Sequence, residues 1–129
     1  MFFFSIHNNL LKKNIKTKIK IKESDIQKGI LEYLLYCGIY CWRNNSNAVY
    51  DPVRKVFRKQ KAKYYINGVA DILGIYRGKF LAIEVKTDKG IVSDDQTLFL
   101  NNINKNGGIG FVARSLDDVR KKFKEVGIL

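Results

Sequence analysis

Two carboxylates and a lysine occur close together in the middle of this chain. Asp71 begins one apolar run, and Glu84 and Lys86 end the next. The two runs predict antiparallel strands joined by a tight turn at Arg77-Gly78. If Tyr76 pairs with Lys79 across that turn, Asp71 and Glu84 lie directly opposite each other on one face. Like charges in such positions destabilise a sheet, and a slip of one residue would move Asp71 to the other face.

A divalent cation bound between the two carboxylates would explain why they are placed together. Hard cations prefer oxygen ligands, and Lys86 projects from the same face because it lies two residues after Glu84. Two carboxylates and an ammonium group at one point predict a metal-dependent phosphodiester hydrolase. The alternative is a surface hairpin with a chance acid pair, but apolar neighbours favour a buried sheet. These neighbours are Val69, Ile72, Leu73, Leu81, Ile83 and Val85.

Composition narrows the partners that the chain can have. The 129 residues suit one domain, and the net charge of +12 attracts polyanions, nucleic acid before anionic membrane. No apolar run is long enough to span a bilayer, so we expect an intracellular, cytoplasmic protein with no membrane partner. Two cysteines and a single histidine are too few for a disulfide scaffold or a zinc site.

The elements that position the three residues follow from periodicity and capping signals. Residues 1–22 predict a basic tail, either a solvated segment or an arm that contacts phosphate. Residues 23–129 predict one domain that opens with a helix capped by Ser24 and ended by Gly38. The remaining predicted elements are a strand over 39–43, a polar segment over 44–67, the central hairpin, a helix over 94–105 capped by Ser93, a strand over 108–114 and a helix from Ser115 to about Val126. This order is typical of an α/β fold with a mixed central sheet flanked by helices.

The ordered set of motifs resembles the PD-(D/E)XK nuclease superfamily, and within it the VRR-Nuc (virus-type replication-repair nuclease) group. The resemblance covers about residues 23–129 and depends on four motifs. They are Glu23 at the first helix, Gly68-Val-Ala-Asp71, Ile83-Glu84-Val85-Lys86, and Gln96 at the helix after the sheet. One departure is Ala70, where the superfamily has proline. The resemblance implies a restriction-endonuclease-like core and DNA cleavage with Mg²⁺ or Mn²⁺. It also implies a homodimer that acts on branched DNA, similar to Holliday-junction resolvases.

The same resemblance gives each residue a catalytic or metal-binding role. Asp71 and Glu84 would ligate the cation together with the Val85 carbonyl, and Lys86 would orient the attacking water. Glu23 would contact the metal directly or through water, although an acidic residue is also favoured at any helix N-terminus. Gln96 would lie beside the active site, yet its position three residues after Ser93 also fits a capping box. Both roles of Gln96 can hold together.

Basic residues outside the acid pair are candidates for nucleic-acid contacts. Most lie in the polar segment, where they would bind phosphates without reading sequence. The candidates are Arg43, Arg54, Lys55, Arg58, Lys59, Lys61, Lys63 and Lys89. Tyr64 and Tyr65 either stack on unpaired bases or pack in the protein. Two other functions stay open, a non-catalytic nucleic-acid-binding module and an RNA-directed nuclease. For the dimer, the strand over 39–42 and the region of Phe111 are the candidate surfaces, and either can equally belong to the core.

Overall fold

The structure is a computed structural model that describes residues 20–44, 49–58 and 63–128. The predicted basic tail therefore lies almost wholly outside the described residues. The elements, in chain order, are α1 (Glu23–Tyr36), β1 (Tyr40–Arg43), β2 (Val49–Asp51), β3 (Val56–Arg58), β4 (Ile72–Tyr76), β5 (Lys79–Val85), α2 (Asp94–Lys105), β6 (Ile109–Ala113) and α3 (Leu116–Val126).

The central sheet has four strands in the order β1-β4-β5-β6. β1 and β5 both run antiparallel to β4, whereas β6 runs parallel to β5. β2 and β3 pair separately as a small hairpin within the segment between β1 and β4. The predicted α/β class with a mixed sheet is therefore confirmed. None of the described helices is long and apolar enough to cross a bilayer.

The hairpin between β4 and β5 has the predicted register. Tyr76 pairs with Lys79, and Ile72 pairs with Ile83. Both turn residues have positive φ, 45° at Arg77 and 81° at Gly78. This is the pattern of the type I′ turn, whose twist suits a two-residue hairpin and whose left-handed backbone glycine adopts without strain. The turn thus places β5 in the register that brings Glu84 beside Asp71.

The two faces of the sheet are covered to different extents. One face carries alternate residues such as Ile72, Leu81 and Ile83, which pack with α1 and α3 to form the main core. On the other face, Ala82 packs against Phe99 and Leu100 of α2 in a second cluster. Because α2 packs on β5 and β6, it covers this face of the sheet mainly over those two strands.

Serine caps position two of the helices as predicted. The Ser93 hydroxyl accepts a hydrogen bond from the backbone N–H of Gln96 at the start of α2. The Ser115 hydroxyl accepts a hydrogen bond from the backbone N–H of Asp118 at the start of α3. Both caps satisfy backbone N–H groups that have no partner inside the helix.

The predicted Ser24 cap of α1 is wrong, because α1 begins at Glu23 and its cap residue is Lys22, two residues before Ser24. The Asp25 carboxylate accepts a 3.4 Å hydrogen bond from the Lys22 backbone N–H, while the Asp25 N–H donates to the Lys22 carbonyl. These bonds place Ser24 inside the first turn. The predicted end at Gly38 is confirmed, since Gly38 has a φ of 76° and the Ile39 N–H donates to the Leu34 carbonyl.

Candidate active site

Asp71 is anchored to the strands on both of its sides. It lies one residue before β4, where its carbonyl accepts a 2.7 Å hydrogen bond from the Asn44 N–H just after β1. Its carboxylate Oδ2 accepts a 2.8 Å bond from the Val85 N–H in β5. The side chain of Asp71 therefore replaces a rung of the β4–β5 ladder and holds a negative charge next to Glu84.

Glu84 is buried at the end of β5, with only 2% of its surface exposed. Its Oε1 accepts a 2.7 Å hydrogen bond from the Gln96 Nε2 and lies 3.6 Å from the Lys86 Nζ. Its Oε2 is buried and has no hydrogen-bond partner. Buried polar atoms almost always have a partner, so this oxygen is suited to a ligand that the protein itself does not supply.

The surroundings of Glu84 oppose its negative charge. Burial, the largest cause, and the charge of Asp71 together raise the pKa of its carboxyl from the ordinary 4.5 to about 8. The Lys86 ammonium acts in the opposite direction, while direct interaction with the Asp71 side chain and the charge of Glu23 add smaller increases. The surroundings therefore favour the protonated form of this carboxyl in the free protein. A bound cation would reverse this preference, because it would compensate both carboxylates at once.

Gln96 both completes the helix cap and contacts the acid pair. Its Oε1 accepts a 2.9 Å bond from the Ser93 N–H, which completes the capping box of α2. Since the oxygen is used by the cap, the Nε2 is directed at Glu84. The start of α2 is thus tied to the acid pair through one amide group.

Gly68 allows the chain before Asp71 to pass against the start of α2. Its φ is 74°, and a Cβ at this position would lie 2.4 Å from the Asp95 carbonyl carbon and 2.6 Å from the Gln96 backbone nitrogen. Those distances are well below van der Waals contact, so no larger residue fits without moving α2. Gly68 was part of the quoted motif, but its role in positioning Gln96 depends on packing that the motif does not reveal.

Sequence reasoning missed Arg114, which holds the loop after β5. Its guanidinium Nη1 donates to the carbonyls of Thr87 at 2.6 Å, Asp88 at 3.2 Å and Gly90 at 2.8 Å. This loop packs against Lys86, because a Cβ on Gly90 would lie 3.3 Å from both Cβ and Cδ of Lys86. Arg114 lies 28 residues beyond Lys86 in the sequence. No local motif signals the contact.

The structure brings four of the predicted catalytic residues together and leaves the basic candidates at the surface. Asp71, Glu84, Lys86 and Gln96 form one cluster, while Glu23, in the first turn of α1, reaches it through its charge. The exposed basic candidates are Arg43, Arg54, Lys55, Lys63 and Lys89. The side chain of Arg58 and the whole of Lys59 and Lys61 lie outside the described residues.

The cluster supplies two carboxylates for an ion rather than a complete set of protein ligands. In the part of the chain that the structure describes, no three His, Cys, Asp or Glu side chains are grouped closely enough to hold a metal. An ion at Asp71 and Glu84 would therefore need main-chain or water oxygens as further ligands, which hard cations readily accept. The predicted Val85 carbonyl belongs to the same strand end.

No family model matches this chain, and no curated protein matches it.

Proposed function

We propose that this chain is a metal-dependent nuclease that hydrolyses phosphodiester bonds in DNA. Its site is of the PD-(D/E)XK type, on a restriction-endonuclease-like core of the VRR-Nuc group. The observation that carries the proposal is the buried Glu84 carboxyl, whose Oε2 lacks a partner although the Asp71 carboxylate lies beside it. An acid pair of this kind is costly for folding and useful for binding a cation.

The residues present fit Mg²⁺ or Mn²⁺. Asp71 and Glu84 offer hard oxygen donors, and the unpartnered Oε2 of Glu84 gives an ion a ready ligand. The Val85 carbonyl and Glu23, directly or through water, would complete the set. When bound, the ion polarises the scissile phosphate and lowers the pKa of a coordinated water.

The protein's own groups do the remaining work of hydrolysis. Lys86 is only 14% exposed at its side chain and lies 3.6 Å from Glu84, so its ammonium can orient the attacking water and offset charge that develops on phosphate. Gln96 fixes the rotamer of Glu84 through its 2.7 Å hydrogen bond. The loop held by Arg114 packs on the aliphatic stem of Lys86 and restricts where its ammonium can lie.

Charge favours a nucleic acid as the substrate. The chain carries a net charge of +12, and Arg43, Arg54, Lys55, Lys63 and Lys89 are exposed. Contacts from such residues bind phosphates without reading the sequence. Cleavage of branched DNA by a homodimer is the more specific prediction, and it depends on the family resemblance.

The test is cleavage of labelled single-stranded, duplex, flap and four-way-junction DNA, and of a matched RNA, with Mg²⁺ or Mn²⁺. We expect Glu84→Gln and Lys86→Ala to abolish cleavage while DNA affinity is kept, because both variants remove chemistry and neither removes a surface contact. Matched controls are Glu32→Gln and Lys124→Ala, two exposed residues on α1 and α3, which should cleave like the unmodified protein.

Three results would contradict the proposal. Cleavage that persists in both site variants would place the chemistry elsewhere. Tight binding with no cleavage of any substrate would indicate a non-catalytic nucleic-acid-binding module. Cleavage of RNA alone would keep the site but show that its substrate is RNA. Symmetric cuts confined to the four-way junction would support the homodimer.

A further inference from the structure

Beside the part that α2 covers, the same sheet face carries a group of exposed apolar side chains. They are Tyr40 and Trp42 of β1, Ile75 of β4 and Phe80 of β5, and we call this group the aromatic face. Their exposed fractions are 73%, 39%, 45% and 37%, respectively. The rings of Tyr40 and Trp42 contact each other, with centroids 5.7 Å apart and planes tilted by 60°. Contiguous exposed apolar surface on a small protein usually marks a binding site.

The strand register places the aromatic face on the same side of the sheet as the acid pair. Tyr40 pairs with Ile75, and Ile75 pairs with Phe80, so these three side chains form one row across the sheet. Trp42 pairs with Leu73, which forms the next row. Leu73 lies two residues after Asp71, a separation of about 7 Å along a strand. The row of Trp42 is therefore the neighbour of the row that holds Asp71 and Glu84.

Charge decides between a nucleic acid and a second copy of this chain as the occupant. The chain carries a net charge of +12, which attracts polyanions. Two copies docked through this face would bring two charges of +12 together, and such like-charge contact opposes association. A nucleic-acid strand fits instead, because its negative charge is attracted to the positively charged chain and every base can stack on an aromatic ring.

We infer that the aromatic face binds unpaired bases by stacking, with Trp42 as its central contact, and that it holds a single-stranded segment of the substrate next to the acid pair. This inference rests on the proposed function for the identity of the substrate. A fully paired duplex hides the faces of its bases, so it cannot use this surface. The favoured substrate is consequently a nucleic acid with an unpaired stretch at the cleavage site, such as a flap or a branch point.

The chain contains a single tryptophan, so intrinsic fluorescence reports on Trp42 directly. Binding is measured in EDTA, where no cleavage takes place, with three probes of equal length: single-stranded oligothymidylate, an abasic oligodeoxynucleotide and a blunt duplex. We expect the oligothymidylate to quench Trp42 fluorescence at saturation, and the abasic strand and the duplex to leave it nearly unchanged. Equal quenching by the abasic strand would overturn the inference.

Variants test the same surface without relying on fluorescence, through the anisotropy of labelled DNA. Trp42→Ala should weaken oligothymidylate binding by roughly 5- to 150-fold, the equivalent of about 1–3 kcal/mol for one stacked base, and duplex binding should change less than twofold. Trp42→Phe should restore most of the loss. Tyr40→Ala provides a second exposed variant, and Tyr36→Ala, at a 91% exposed aromatic residue at the end of α1, is the matched control. Thermal melting followed by circular dichroism verifies that each variant is folded.

The outcomes separate this inference from the proposed function. Unchanged oligothymidylate affinity in both Trp42→Ala and Tyr40→Ala would overturn it, as would a dimer seen by sedimentation that Trp42→Ala dissociates. Stacking without metal-dependent cleavage would keep the surface and reject the nuclease. Cleavage that depends on Lys86 but does not depend on Trp42 or Tyr40 would keep the nuclease and reject the surface.

Discussion

The cost of charging Glu84 can be measured as a pH-dependent loss of stability. The pKa of this carboxyl is about 8 in the folded protein and 4.5 ordinarily, so the folded state binds the proton more tightly than the unfolded state does. The resulting stabilisation is fully present below pH 4.5 and is lost as the pH rises towards 8. One pKa unit corresponds to about 1.4 kcal/mol. Between pH 5 and pH 8.5 the expected loss from Glu84 is therefore about 4 kcal/mol.

Glu84→Gln should remove this pH dependence, because a neutral amide resembles the protonated carboxyl at every pH. The assay is urea unfolding of the original protein and the variant in EDTA at pH 5 and pH 8.5. We expect the variant to be more stable at pH 8.5, by an amount that falls sharply at pH 5. Every other titrating group is common to both proteins, so the difference between them isolates Glu84.

Mg²⁺ provides the second arm of the same experiment. Added at pH 8.5, it should restore stability to the original protein by binding the folded state, and it should have much less effect on Glu84→Gln. Asp71→Asn should weaken the pH dependence, because the neighbouring charge is one of the causes of the raised pKa. Parallel pH profiles for the original protein and Glu84→Gln would refute the assignment of Glu84 as a buried, electrostatically opposed carboxyl.

Three further predictions concern packing and charge. Gly68→Ala should lower the free energy of unfolding by more than about 1 kcal/mol, because its positive φ and the contact with Asp95 exclude a Cβ; an unchanged urea midpoint would show that α2 can move at little cost. Arg114→Ala should increase amide hydrogen exchange in the loop 87–90 and lower kcat more than it raises KM, because Lys86 loses its support; unchanged exchange would mean that the loop is held by other contacts. The double variant Lys59→Ala and Lys61→Ala should reduce the slope of log affinity against log salt by roughly 1.8 if both lysines contact phosphates of duplex DNA, and an unchanged slope would remove them from the DNA path.

Local signals explain why the hairpin and two of the helix starts could be predicted from the sequence. The Arg77-Gly78 turn fixes the register over a few residues, and the register then determines which side chains face each other. Ser93 and Ser115 act through atoms three residues away. The predicted cap residue of α1 is wrong because Ser24 and Asp25 both offer capping chemistry within one turn. The small β2–β3 hairpin was missed because strands of three residues leave hardly any periodicity.

Other parts of the site depend on contacts between distant segments. The hydrogen bonds of Arg114 join the end of β6 to the loop after β5, and nothing in either segment specifies the other. The exposure of Trp42 likewise depends on how far α2 extends across the sheet. Composition and alternation identify apolar residues, but they do not show which of them the helices leave uncovered. Phe111 illustrates this, because the structure places it in the core against Phe123 rather than on a dimer surface.

The shared amide of Gln96 has a consequence for which amino acids position 96 can accept. Glutamate and glutamine are interchangeable at this position of a capping box, so helix α2 by itself would tolerate either residue. At this site glutamine and glutamate differ. One terminal oxygen of the side chain accepts the hydrogen bond from the Ser93 N–H, so the other terminal atom faces Glu84. A glutamate would place a third negative charge against an acid that is already difficult to ionise. Replacing Gln96 by glutamate would therefore keep the helix cap but disturb the acid pair.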